Sequence, residues 1–119
     1  MKFSIAIYSP PSPGGNAERA LHFSQAVLDA GHQLYRLFFF NDGVLNCVDS
    51  SESLCQSWQS FIHENSIDAI TCIASAQKRG LGNQQDHSNK VHSVFSIGGV
   101  AQLIDARVHS DRVITFTGL

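Results

Sequence analysis

Hydrophobic residues along the chain fall into short apolar runs separated by stretches with helical spacing. The first run covers Lys2–Tyr8 and stops at SPPSPGG, because prolines cannot donate hydrogen bonds to a sheet and glycines permit tight turns. A helix is predicted from near Asn16, a residue type that commonly caps helices, to the closing Gly31, because apolar residues recur with helical spacing between them. The run His32–Phe40 predicts a second strand that is buried on both faces at its end.

The middle of the chain repeats this alternation of strand and helix. The NDG triplet at 41–43 predicts a turn, and VLNCV after it predicts a short helical turn. A second long helix is predicted from Ser50 or Ser51 to about Asn65, because an apolar face recurs along it at i, i+4, i+7 and i+8. DAITCIA at 68–74 then predicts the third strand.

The last third of the chain is less regular. GLGNQQDHSNK at 80–90 has no apolar periodicity and predicts a polar loop, whereas VHSVFSI at 91–97 fits either a strand or the start of a helix. GGVAQLIDARVHSD predicts a helix with four apolar residues on one side, namely Val100, Leu103, Ile104 and Val108. RVITFTGL at 112–119 predicts the last strand.

The predicted order, β-α-β-α-β-loop-α-β, indicates an α/β fold. Because strands and helices alternate, we expect a single domain over residues 1–119 with a mostly parallel sheet and helices on both faces. Ligands and reacting groups collect at the carboxyl ends of the strands in such sheets. Three segments are expected there: SPPSPGGN after the first strand, NDGV after the second, and Cys72 with the residues that follow it.

Composition narrows the function classes. The chain is 43% hydrophobic and 15% charged with a formal net charge of −2, so we expect no direct binding of nucleic acid through a broad basic surface. No apolar run reaches the roughly 20 residues of a membrane span, and the N-terminus has no signal-peptide pattern, so we expect a cytoplasmic protein that does not cross a membrane. The low charge also favours exposed apolar surface and therefore subunit partners.

The three cysteines, Cys47, Cys55 and Cys72, form no C-x-x-C pair, so we expect reduced thiols and no metal site. Cys72 has two interpretations. In a run such as AITCIA a cysteine is most often a small buried hydrophobe. Its place at the carboxyl end of a predicted strand instead favours a reactive thiol.

The residues that follow Cys72 also favour a reactive thiol. ASAQKR suits a short helix and Gly80 ends it, so the sulfur would lie at a helix N-terminus, where free amides stabilise a thiolate. Lys78 and Arg79 are the only adjacent cations in the chain; they would stabilise the thiolate, contact a partner or simply be solvated. His87 and His92 are candidate general bases, but a thiol without a dedicated base suits sulfur transfer better than acyl transfer.

Four segments together resemble the TusD/DsrE family of sulfurtransferase subunits, small α/β proteins that carry sulfur on one cysteine. They are MKFSIAIYSPP, ALHFSQAVLDAGHQLYRLFFFNDGV, TCIASAQKRG and FSIGGVAQLIDARVHSDRVITF, and they cover nearly the whole chain in order. The resemblance implies a DsrE-like fold, and it implies that Cys72 accepts sulfane sulfur as a persulfide and passes it to an acceptor thiol. We expect no cofactor.

The resemblance also implies partners. Family members with the cysteine assemble with two homologous subunits, of TusB and TusC type or of DsrF and DsrH type, into a heterohexamer. The tRNA-modifying branch takes sulfur from a donor of TusA type and passes it to an acceptor of TusE/DsrC type, towards 2-thiouridine at the tRNA wobble position. The DsrEFH-type complex works in dissimilatory sulfur metabolism. The short segment that carries Cys47 and Cys55 leaves both the branch and the role of these two thiols open.

Two further alternatives come from other function classes. PSPGGNAERA opens a helix as phosphate-binding loops do, which would suit a flavin- or nucleotide-binding module, but it contains neither G-x-x-x-x-G-K-[ST] nor G-x-G-x-x-G. The other is a non-catalytic subunit in which the cysteine only packs.

Overall fold

A five-stranded parallel sheet forms the centre of the computed structural model, which describes residues 1–82 and 90–119. The strand order is β4-β3-β2-β1-β5. In chain order the elements are β1 Lys2–Ile7, α1 Asn16–Asp29, β2 Gln33–Phe39, a 3-10 helix Asn41–Cys47, α2 Ser53–Asn65, β3 Ala69–Cys72, α3 Ile73–Lys78, β4 Ser96–Gly98, α4 Val100–His109 and β5 Arg112–Phe116. The α/β class and the parallel sheet with helices on both faces are confirmed.

The helix starts differ from the prediction by one to three residues. Gly15, not Asn16, is the N-cap of α1, and the Asn16 side chain donates instead to the Thr117 carbonyl. Glu52, not Ser50 or Ser51, precedes α2. The Ser50 hydroxyl accepts the Glu52 amide at 3.2 Å, so the polar residues form a turn before the helix rather than its cap. The ambiguous segment 91–97 contributes only the start of a three-residue strand, β4.

The larger core lies between one face of the sheet and the helices α1 and α2. Inward-facing residues of β1 and β2 are almost completely buried there, as their apolar runs predict. Aromatic rings join the layers, since the Phe39 ring lies edge-on to Trp58 of α2 at 5.1 Å and to Phe95 at 5.4 Å between ring centroids. This packing fixes β2 and β3 side by side, and their carboxyl ends carry the residues of interest.

The other face of the sheet is covered by α4, whose apolar side does not face it. Val100, Ile104 and Val108 are 67%, 57% and 71% exposed, and the buried residue of this helix is Ala106. Polar contacts hold α4 in place: Arg36 of β2 pairs with Asp105 at 3.0 Å and donates to the Gln102 carbonyl at 2.7 Å. Three of the four residues of the predicted apolar side are therefore exposed, and only Leu103 is partly buried. No helix in residues 1–82 or 90–119 is long and apolar enough to cross a bilayer.

Candidate active site around Cys72

Cys72 lies at the carboxyl edge of the sheet, as predicted. It is the last residue of β3, where it pairs with Gly98 of β4, and it is also the N-cap of α3. Its side chain is partly buried and packs against a small apolar cluster of Val44, Ala76 and Leu81. The sulfur therefore has apolar neighbours on one side and keeps access to solvent.

The 3-10 helix that follows β2 forms one wall of this region, and Gly43 makes its position possible. A Cβ at Gly43 would overlap the Ile7 carbonyl oxygen at the end of β1, so only glycine permits this approach. The Phe40 amide donates to the same Ile7 carbonyl at 3.1 Å, and the Gly43 amide donates to the Phe40 carbonyl at 3.0 Å. The NDG triplet, predicted as a turn, thus brings the 3-10 helix close to the strand ends.

Arg79 is engaged with neighbouring residues, and none of its recorded bonds is to Cys72. Its Nε and Nη2 donate to Asp42 Oδ1 at 3.0 and 2.9 Å, and its Nη1 donates to the Ser75 carbonyl at 3.1 Å. Lys78 is exposed, and no ion pair is recorded for it within the described part of the chain. The two adjacent cations therefore have different surroundings, although the sequence presents them as a pair.

Sequence reasoning missed Asp42 and Ser75 at this site. Asp42 belongs to the NDG triplet, which is predicted as a turn at this edge of the sheet without a role for its carboxylate, and its ion pair spans 37 residues of sequence. The Ser75 hydroxyl accepts the Asn41 amide at 2.9 Å and so joins α3 to the same loop. The small residues at 74–76 give no signal for this bond, because serine is common in short helices and turns alike.

The two other thiols are inaccessible. Cys47 and Cys55 are 0% and 1% exposed. Burial raises the pKa of the Cys47 thiol far above its usual range, and burial also raises the pKa of Cys55. The Cys55 sulfur donates to the Leu45 carbonyl at 3.5 Å. Both thiols are therefore buried and held in the protonated form, whereas Cys72 differs from them in being partly exposed.

The candidate histidine bases do not join the site in the described residues. The Nδ1 atom of His92 accepts the Val94 amide at 3.0 Å, and its own amide donates to the Cys47 carbonyl. His87 lies outside the described residues. Among residues 1–82 and 90–119, no group of three or more histidine, cysteine or carboxylate side chains is arranged to hold a metal ion.

The loop before α1 uses its own amides internally. The Gly14 amide donates to the Glu18 carboxylate, the Gly15 amide to the Ser12 carbonyl, and the Asn16 amide to the Leu119 carbonyl. These are the groups that a phosphate at this helix N-terminus would need. A carboxylate at the same place also repels an anion, so the loop is poorly suited to a nucleotide phosphate.

Comparisons with known proteins show the family of this chain and support its fold. The model of the DsrE/DsrF-like family matches residues 1–116. A protein of Pseudomonas aeruginosa named sulfurtransferase TusD homolog is 37% identical over 99% of this chain and 98% of its own length. A putative sulfurtransferase DsrE of Allochromatium vinosum is 29% identical over 98% of each chain. The crystal structure of the E. coli ychN protein superposes with a TM-score of 0.78 at 18% identity, covering 97% of this chain and 98% of that one, which supports the fold.

Proposed function

We propose that this chain, which belongs to the DsrE/DsrF-like family, is a sulfurtransferase of a sulfur relay that accepts sulfane sulfur as a persulfide on Cys72. Residues 1–119 act as one sulfur-transfer domain. The observation that carries the proposal is the contrast among the three thiols: Cys72 is partly exposed at the carboxyl edge of the sheet, whereas Cys47 and Cys55 are buried. The relatives named sulfurtransferase support the same activity.

Sulfur transfer at Cys72 needs no external oxidant or reductant. The Cys72 thiolate attacks the outer sulfur of a donor persulfide, the sulfur–sulfur bond of the donor breaks, and the donor leaves as a thiolate. Cys72 then carries the persulfide. An acceptor thiolate attacks the outer sulfur in turn, which forms a persulfide on the acceptor and regenerates the Cys72 thiolate. The apolar cluster beside Cys72 shields one side of the sulfur, so donor and acceptor approach from the solvent side.

We assign the relay to 2-thiouridine formation at the tRNA wobble position. The relative at 37% identity is a TusD homolog, and this supports the tRNA branch over a DsrEFH-type complex of dissimilatory sulfur metabolism; the TusD of Klebsiella pneumoniae and the putative DsrE are equally similar to this chain, at 29%. The expected donor is a protein of TusA type and the expected acceptor a protein of TusE/DsrC type. No direct contact with nucleic acid is part of this proposal, since the net charge is −2.

Homologous subunits of TusB and TusC type, or of DsrF and DsrH type, are the proposed partners in a heterohexamer in the cytoplasm. The exposed apolar stripe of α4, formed by Val100, Ile104 and Val108, supports an assembly, because contiguous apolar surface is unusual on proteins that remain monomeric. Lys78, exposed next to the site, is the candidate contact for the incoming donor or acceptor.

Sulfur loading of Cys72→Ser tests the proposal. The protein is incubated with glutathione persulfide, and the number of added sulfur atoms is read from the intact mass. Wild type gains one sulfur atom, and the variant gains none, because a serine hydroxyl cannot form the persulfide. In a host strain that lacks its own TusD-type protein, the wild-type gene restores wobble 2-thiouridine and the variant gene does not.

Cys55→Ala is the matched control, because it removes a thiol that is 1% exposed. It loads sulfur as wild type does. If Cys72→Ser still gains sulfur at the wild-type rate, the assignment of Cys72 is wrong. If loading is normal but 2-thiouridine is not restored, the sulfur-transfer role stands and the assignment to the tRNA branch is overturned.

A further inference from the structure

The helix α3 places Cys72 but has little stability of its own. It contains six residues and begins directly after the cysteine, which is its N-cap. An isolated helix of this length does not persist in water, so its position depends on contacts with the rest of the protein. Two of its residues, Ser75 and Ala76, are buried. The orientation of the Cys72 sulfur is therefore set by whatever holds this helix.

Two connections tie α3 to the loop that follows β2. Near the start of the helix, the Ser75 hydroxyl accepts the Asn41 amide at 2.9 Å. At its end, the Arg79 guanidinium reaches Asp42 Oδ1 through Nε and Nη2 at 3.0 and 2.9 Å. Arg79 also donates to the Ser75 carbonyl at 3.1 Å, so a single side chain joins the last turn of α3 to the first turn of the 3-10 helix. The two connections therefore end on Asn41 and Asp42, which are adjacent residues of that loop.

Arg79 forms an ion pair with Asp42. The Arg79 side chain is 25% exposed and the Asp42 side chain 60% exposed, so the pair lies at the surface. A surface pair contributes little to the global free energy of unfolding. Local opening of a short segment costs much less free energy than global unfolding, so a pair that contributes little to global stability is still strong enough to act on the position of α3.

We propose that Arg79 and Asp42 form a clamp that holds α3, and with it Cys72, in the geometry that sulfur transfer requires. Arg79 is then a positioning residue, which acts through Asp42 and the helix rather than on the sulfur or on a partner. This inference rests on the proposed sulfur-transfer function. It also separates Arg79 from Lys78, which carries the same charge but is not clamped.

Charge reversal tests the clamp. We expect Asp42→Arg and Arg79→Asp each to lower the rate of sulfur loading on Cys72 at saturating glutathione persulfide by roughly tenfold, since a misplaced reacting atom costs rate on this scale or more. The donor concentration that gives half-maximal rate stays unchanged, because positioning acts on the reacting geometry. The double variant restores the pair with reversed polarity and recovers the rate to within about threefold of wild type, an order-of-magnitude expectation for a re-formed surface pair.

The outcomes of the charge-reversal experiment distinguish the clamp from other roles of Arg79. A lower rate of sulfur loading in both single variants, with recovery of the rate in the double variant, supports the clamp. If the double variant stays impaired, the positive charge at position 79 itself matters and the clamp is overturned. If neither single variant loses rate, or if only the half-maximal donor concentration rises, positioning is likewise overturned. Arg107→Asp is the matched control, because it reverses an exposed arginine in the last turn of α4 and leaves the rate at the wild-type value.

A second measurement keeps the clamp separate from the sulfur-transfer proposal. Hydrogen exchange of the amides at positions 76–80 speeds up in both single reversals and returns towards the wild-type rate in the double variant. This readout does not depend on sulfur chemistry, so it tests the clamp even if Cys72 carries no sulfur. Unchanged exchange in the single variants contradicts the clamp. If a reversal prevents folding, Asp42→Asn and Arg79→Lys replace the two single reversals, and each speeds up exchange by a smaller factor.

Discussion

An arginine–aspartate contact lies towards each end of the sheet, but the two contacts differ in how deeply their side chains are buried. At the amino end, Arg36 lies 2.8 Å from Asp68 and 3.0 Å from Asp105, and its side chain is only 13% exposed. At the carboxyl end, Arg79 pairs with Asp42 alone, and the Asp42 side chain is 60% exposed. The same two residue types thus form a partly buried network at one end and a surface pair at the other.

The more buried network connects elements of the scaffold, whereas the exposed pair lies next to the candidate site at Cys72. Arg36 connects β2, the start of β3 and α4, and Tyr35 and His109 also contact its partner Asp105. Removing Arg36 leaves the Asp68 and Asp105 carboxylates without their shared cation, so the loss of this residue is costly. At the carboxyl end, α3 is held by local packing, by the Asn41–Ser75 hydrogen bond and by the exposed Arg79–Asp42 pair. The element that carries Cys72 is therefore the one that is easiest to displace.

Gly43→Ala gives the largest effect that we expect, and it tests whether packing rather than charge stabilises the carboxyl end. The new Cβ would overlap the Ile7 carbonyl oxygen, which belongs to the backbone and cannot rotate away. We expect a loss of about 3 kcal/mol in the free energy of unfolding, the upper end of typical overpacking costs. Urea unfolding followed by Trp58 fluorescence measures it.

Gly99→Ala is the matched control for this substitution. Gly99 also lies at the carboxyl end, but a Cβ there meets no atom within 4 Å. The loss should stay below about 1 kcal/mol, the cost of exchanging glycine for alanine at a helix N-cap. Equal losses in the two variants would mean that the contact with Ile7 is unimportant and that the 3-10 helix can move.

Arg36→Ala ranks next and compares the two ion-pair arrangements directly. It removes bonds to two carboxylates and to the Gln102 carbonyl, so we expect a loss of about 2 kcal/mol. Arg79→Ala should cost less than about 1 kcal/mol, as surface pairs do, although it lowers the rate of sulfur loading. Urea unfolding of both variants gives the two values.

Arg107→Ala serves both comparisons as an exposed arginine on α4, and its effect should lie within about 0.5 kcal/mol of zero. The contrast between the two ends fails if Arg79→Ala costs as much stability as Arg36→Ala. In that case the Arg79–Asp42 pair belongs to the scaffold, and its influence on Cys72 cannot be separated from folding.

The alternation of strands and helices could be predicted because each element carries its own hydrophobic pattern. The run Lys2–Tyr8 and the spacing in α1 are local signals, and the structure confirms both elements. The location of Cys72 followed from the same reasoning, since it ends an apolar run and small residues follow it. The helix starts were less accurate, because several polar residues compete for the cap and packing decides among them.

Two features of the site and its surroundings could not be predicted. The partner of Arg79 lies 37 residues away, and neither residue type identifies the other in the sequence. Helical spacing places Val100, Leu103, Ile104 and Val108 on one side of α4, but it does not tell which side faces the sheet, and only Leu103 of the four is partly buried. The small Ala106 is buried instead, because the polar bonds from Arg36 and Tyr35 bring the opposite side of the helix onto the strands.

Tyr35→Phe gives the smallest expected change in stability, and it tests how the network around Arg36 responds to pH. The Tyr35 hydroxyl donates to Asp105 at 2.7 Å; this bond is the main cause that lowers the pKa of Asp105, and it also raises the pKa of Tyr35. A lowered carboxyl pKa stabilises the fold above the unfolded value of about 4, and this stabilisation is lost as the pH falls through the folded pKa. A raised tyrosine pKa stabilises the fold below about pH 10 and is lost as the pH rises through the folded pKa.

Tyr35→Phe should therefore flatten the dependence of stability on pH at both extremes, and chemical denaturation at a series of pH values between about 2 and 11 measures this. Tyr8→Phe is the matched control, because it removes a tyrosine hydroxyl at the carboxyl end, where residues 1–82 and 90–119 provide no carboxylate bond to it. Its pH profile should follow wild type. If Tyr35→Phe keeps the full acid and alkaline slopes, the bond to Asp105 does not couple the amino-end network to pH, and Arg36 alone holds α4 against the sheet.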